Sequence, residues 1–182
     1  MTHQGLAAKA VGAIMAAALI GGCTAAPTNS PTPTGPSQSP SPTVTPTPTL
    51  SPEDQKLEDA KARVVLLWQT LDGLLVDSSR SINELDTLAS DEALSSLQVM
   101  LTTVRQRGQV QVGATKIPSQ SALAKGDGWV VTSCVDRSEA ILTDKAGQPV
   151  TPAPQPRLSH ESTVQLVGAN LQITKDEVLG SC

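Results

Sequence analysis

Five side chains in this 182-residue chain invite chemistry: the thiols of Cys23, Cys134 and Cys182, and the pair His160 and Asp136. A thiol can accept an acyl chain, join a second thiol, or act as a nucleophile where its pKa is lowered. A histidine beside a carboxylate can move protons near neutral pH. No Cys-x-x-Cys spacing lowers a thiol pKa here, and no Gly-x-Ser-x-Gly, Ser-x-x-Lys or His-Glu-x-x-His motif occurs. Hydrolysis by those routes is therefore set aside.

The surroundings of Cys23 decide its chemistry. Met1 to Lys9 is short and polar, and Ala10 to Ile20 is an uncharged, mostly apolar run. That run suits a secretory h-region and is too short to span a bilayer. It ends in Ile20-Gly21-Gly22-Cys23, with an aliphatic residue at −3 and small residues at −2 and −1. This resembles the signal peptide of bacterial lipoproteins. The resemblance implies cleavage before Cys23, lipid on its thiol, and an anchor to the extracytoplasmic face of the cell membrane. One acyl chain gives only marginal binding, so stable attachment implies the multi-chain lipid of that class.

With Cys23 acylated, Cys134 and Cys182 are the remaining thiols, and outside the reducing cytosol an even pair reads as one disulfide. Such a closure contributes about 4 kcal/mol in the chain-entropy model and would pin the last strand. Two free thiols, or a redox dyad, are the alternative. Loss of a leader carrying His3 also leaves His160 as the one histidine, which provides no ligand set for zinc or copper. No metal or cofactor is expected.

Between Thr24 and Ser51, 21 of 28 residues are Pro, Thr or Ser. Proline removes backbone donors and the small polar side chains have nothing to bury. The segment is expected to be a disordered, partly polyproline II linker reaching at most about 85 Å. Ser/Thr/Pro tracts of this kind also attract O-glycosylation. Three segments follow: a signal peptide over 1–22, the lipidated Cys and linker over 23–51, and one domain over 52–182.

Composition excludes some partners. The formal charge is −4, and removing the leader takes away Lys9, leaving 17 acids against 12 bases. Phosphate contacts need a concentrated basic surface, so nucleic acid is not an expected partner. There is no Phe or Tyr and there are two Trp, so the core must be aliphatic and stacking surfaces are scarce.

These residues must be positioned by the domain. Ser51-Pro52-Glu53-Asp54 is a helix start, and Leu57, Ala60, Val64, Leu67, Trp68, Leu71 and Leu75 recur at helical spacing, predicting a helix over 52–76. A short second helix is predicted over 82–89. A third should run from Ser90-Asp91-Glu92 to Arg107, stopped by Gly108. Beyond it, alternation and β-branched residues predict strands over 109–117, 128–136, 138–144, 157–168 and 171–179. Gly126-Asp127-Gly128 and Asp144 to Gly147 read as turns, and the proline-rich 148–156 as an exposed loop. Helices followed by a strand meander give α+β, with the helices on one face of a curved antiparallel sheet.

A strand ending Cys134-Val135-Asp136-Arg137-Ser138, the turn Asp144-Lys145-Ala146-Gly147, and two closing strands ending in Cys182 resemble the small NTF2-like lipoproteins of actinobacteria and their mobile elements. The resemblance implies an α+β cone at the cell envelope. With so few catalytic side chains, the leading expectation is a non-catalytic module binding a small apolar ligand or an envelope protein. One alternative is an isomerase- or cyclase-type enzyme with His160 and Asp136 in a cone pocket. The other is an accessory envelope protein of a mobile element, acting in superinfection exclusion or conjugation.

Overall fold

A computed structural model describes residues 50–150 and 156–182. The expected leader, Cys23, nearly all of the linker and most of the proline-rich loop lie outside the described residues.

Helix α1 spans Pro52–Val76. Ser51 caps it, its Oγ accepting from Asp54 N at 3.1 Å, with Pro52 in the first turn and Glu53 and Asp54 near the positive helix end. Its inward stripe is Ala60, Val64, Leu67, Leu71, Leu74 and Leu75. Each buried leucine contributes about 1.5–3 kcal/mol, so this stripe is the main anchor of the helical layer.

The second helical segment, Ile82–Thr87, is a 3-10 turn, capped by Ser81. It buries Leu85, while Arg80 and Glu84 form an ion pair one turn apart. Helix α2 spans Asp91–Gln106 and buries Ala93, Leu101 and Val104. It closes with Gly108 N donating to Arg105 O at 2.9 Å and Gln109 N to Val104 O at 3.0 Å. Gly108 takes φ +64°, the left-handed geometry this closure needs.

Among the described residues six strands follow: β1 (Val110–Val112), β2 (Lys116–Lys125), β3 (Gly128–Asp136), β4 (Ile141–Thr143), β5 (Arg157–Val167) and β6 (Asn170–Ser181). They form a four-stranded antiparallel sheet in the order β2-β3-β5-β6 and a separate pair, β1-β4. The helices pack on one face of the larger sheet, where Val131, Val164 and Ile173 join the leucines of α1 and α2 in one core. The expected α+β arrangement, N-terminal helices packed on an antiparallel sheet, is the architecture observed. Register shifts interrupt the β5-β6 ladder at Ser159/His160 and Thr163/Val164, and the β2-β3 ladder between Lys116 and Ser119. Such irregularities bend strands and increase local twist.

Besides the 3-10 turn, which is shorter than the helix expected over 82–89, other local features differ from the sequence reading: the strand expected over 138–144 spans only Ile141–Thr143. The run 109–117 is not one strand: Gly113, at φ +82°, separates β1 from β2. A side chain at Gly113 would place its Cβ 1.8 Å from Glu139 O, so the backbones can approach only through glycine. Strand β2 then continues to Lys125 along an edge of the sheet, where Pro118 is tolerated because an edge strand leaves half its donors unpaired.

The edge at β6 is clipped by the helical layer. Ile173 N donates to Leu88 O at 2.9 Å and Ser90 N donates to Ile173 O at 3.0 Å. Gln172 Nε2 adds a bond to Asp86 O at 2.8 Å. Cys134 and Cys182 are joined by a disulfide with Cα atoms 5.8 Å apart. Because β5 lies between β3 and β6, this bond ties the C-terminal residue across an intervening strand.

Candidate functional site

Two places gather polar or reactive side chains. The first surrounds His160, on β5. Its ring is buried and edge-on to Trp68 of α1, with centroids 5.1 Å apart at 84°. Its Nδ1 lies 2.8 Å from Asp176 Oδ2, and Ser162 Oγ donates to Asp176 Oδ1 at 2.6 Å. His160 therefore faces the helical layer.

Asp136, at the end of β3, does not join it. Its Oδ1 accepts from Ser138 N at 2.9 Å and its Oδ2 from Arg157 Nε at 3.0 Å. The Ser138 hydrogen bonds, with Arg157 adding to them, hold its carboxyl below the ordinary aspartate range. The register explains the separation: Asp136 lies opposite Arg157, whereas His160 lies opposite Ser133. The carboxylate that meets His160 instead comes from β6, where Ser162 pairs with Asp176.

The second place is a cleft of about 700 Å³ between the last turns of α2 and the segment running from Arg137 into β4. Met100, Thr103, Val104 and Arg107 line it from α2, with Ala140, Ile141 and Leu142 opposite and Pro149 and Val150 beside them. Its volume is in the ordinary range of small-molecule sites, and apolar side chains dominate its wall. The β1-β4 pairing, Val112 against Ile141 and Val110 against Thr143, fixes the β4 wall. Val150 N donates to Leu142 O at 2.8 Å and Arg137 N to Pro156 O at 2.6 Å, which set the lower rim.

The polar end of the cleft is built from α1 outward. Asp72 accepts three hydrogen bonds, from Gln111 Nε2 at 2.7 Å, Thr115 N at 2.7 Å and Thr115 Oγ1 at 2.8 Å. Gln111, itself buried, then accepts from Arg137 Nη2 at 3.4 Å. A chain of Asp72, Gln111 and Arg137 thus runs from the helix to the cleft wall. Arg137 Nε is enclosed without a hydrogen-bond partner.

Among the described residues, no His, Cys, Asp or Glu lines the cleft, so these supply it with neither a carboxylate or imidazole acid/base nor a thiol nucleophile. It can enclose an apolar body and offers two cationic side chains, Arg107 and Arg137, in its wall. The sequence reading gave Arg107 only as a helix end and Arg137 only as part of a strand terminus, with no functional role for either. The available signal was weak: each arginine stands at the end of an element, next to apolar residues.

No protein-family model matches the chain, and no curated protein matches it. Among solved structures, the domain is similar to the intermembrane space region of the chloroplast protein ARC6, with TM-score 0.54 and 18% identity, over 74% of this chain and all of the other. A de novo designed β-sheet protein gives TM-score 0.38 at 12% identity, over 70% of this chain and 92% of that one. At this identity the ARC6 likeness is one of fold.

Proposed function

We propose that the protein is a lipid-anchored extracytoplasmic lipoprotein whose folded domain binds a small apolar ligand without transforming it. The observation that carries the binding half is the cleft: an apolar enclosure of about 700 Å³ with no carboxylate, imidazole or thiol among the described residues of its wall. The commitments of His160 to Asp176 and of Asp136 to Ser138 and Arg157 support the same reading, since neither side chain lines that cleft.

The extracytoplasmic half is supported by the Cys134–Cys182 disulfide, which persists on the oxidising side of a membrane. The fold is also that of an intermembrane-space region. The Ile20-Gly21-Gly22-Cys23 pattern supports an anchor at Cys23. Among the described residues no helix is long and apolar enough to cross a membrane.

Nile red, an uncharged apolar dye, tests the cleft in the full chain. Its fluorescence should rise on the wild type and the rise should fall in Ile141→Glu, a residue already 45% exposed and so tolerant of charge. An unchanged rise in Ile141→Glu, or turnover of a substrate that His160→Ala abolishes, would overturn this reading.

A further inference from the structure

The cleft is more selective than an apolar enclosure requires. Its wall contains two guanidinium groups, Arg107 and Arg137, and no carboxylate, within a chain of net negative charge. Neither arginine forms an ion pair among the described residues. The nearby acids are committed elsewhere. Asp136 bonds to Ser138 and Arg157, Glu139 pairs with Lys116, and Asp144 Oδ1 accepts from Ala146 N and Gln148 N.

A third cation stands close by. The side chain of Lys145 crosses Gly108, with its Cε 2.2 Å from where a Cβ at that position would sit. The glycine leaves room for Lys145 next to Arg107. Arg137 is oriented from the protein side by Gln111 and, through it, by Asp72, yet its enclosed Nε has no acceptor. That Nε is closed to a ligand, but Arg107 and Arg137 both line the cleft without a carboxylate partner, and an anion in the cleft would supply the charge both lack.

We infer that the cleft takes a small amphiphile with an anionic head, a single-chain carboxylate, with its head at Arg137 and Arg107 and its chain along Met100, Val104, Ala140 and Leu142. The inference rests on the reading of this cleft as the ligand site. Arginine suits the role because its planar fork matches a carboxylate in two parallel hydrogen bonds.

The test compares decanoate with decanol, which share a chain and differ in charge. Each is titrated calorimetrically into the full chain in phosphatidylcholine nanodiscs, with empty nanodiscs as the baseline. Decanoate should bind about tenfold more tightly or better, as charge-assisted hydrogen bonds allow. Arg137→Gln should remove that preference and Arg137→Lys should keep part of it. Arg107→Gln, at an exposed position, supplies the same comparison should Arg137→Gln fail to fold.

Equal binding of the two probes overturns the anionic head and leaves the apolar site standing. Absence of both from the folded chain overturns the site as well. Decanoate binding that disappears in nanodiscs containing phosphatidylglycerol assigns the arginines to a lipid headgroup and overturns the free acid as occupant.

Discussion

His160 Nδ1 and Asp176 Oδ2 meet at 2.8 Å across β5 and β6, and the same carboxylate takes the Ser162 hydroxyl at 2.6 Å. The contact joins two strands beneath Trp68, where the His160 ring is buried. Replacing Asp176 by Ala removes the carboxylate that both part-buried groups meet. Urea unfolding of Asp176→Ala should show a loss of about 1–3 kcal/mol, with a comparable loss for His160→Ala. If instead both variants keep wild-type stability while losing a measurable activity, the cluster is catalytic.

Asp136 provides a pH signature. Its hydrogen bonds to Ser138, with Arg157 adding to them, lower its folded pKa, so ionised Asp136 favours the folded state above its unfolded value. That stability is lost as pH falls through the lowered folded value. Wild type should therefore melt above Asp136→Asn near pH 6, and the gap should close as the pH drops below about 4. A gap independent of pH would refute the assignment.

Asp72 joins α1 to β1 through Gln111 and to the β1–β2 connector through Thr115. Asp72→Ala leaves Thr115 N and Gln111 Nε2 without that acceptor and should cost about 1–3 kcal/mol in chemical denaturation. Since Gln111 orients Arg137, the same variant should also weaken decanoate binding more than decanol binding. Equal weakening of both would separate Asp72 from the cleft.

Gly113, next to β1, sits where an added Cβ would run into the Glu139 carbonyl. Gly113→Ala forces a side chain into φ +82° and against Glu139 O. The strain alone should lower stability by about 1–3 kcal/mol, read as a lower midpoint in a denaturant titration. Gly126→Ala is the control: it has the same sign of φ, but its Cβ would meet open space. Its loss should be the smaller of the two.

Much of the fold was legible where local signals agreed. Ser51, Pro52 and the leucine spacing place α1 at the bounds observed, and the apolar alternation of 128–136 places β3. Counting thiols after the leader pointed to Cys134 with Cys182. Strand β2 was less legible because an edge strand such as Lys-Ile-Pro-Ser-Gln-Ser buries little and so needs no alternation. The partner of His160 was missed because it depends on the β5-β6 register, itself shifted by two irregularities. The cleft was invisible for a similar reason. Met100, Arg137 and Leu142 come from three elements, and only tertiary packing brings an arginine at the end of a strand beside the last turns of a helix.

The central claim is a binding domain held at a membrane by lipid on Cys23. Its most direct test is the intact mass and membrane fractionation of the expressed full chain beside Cys23→Ser. The account predicts that the wild type loses residues 1–22, gains lipid mass and sediments with membranes, while Cys23→Ser does none of these. Identical mass processing and identical fractionation of the two chains would contradict it.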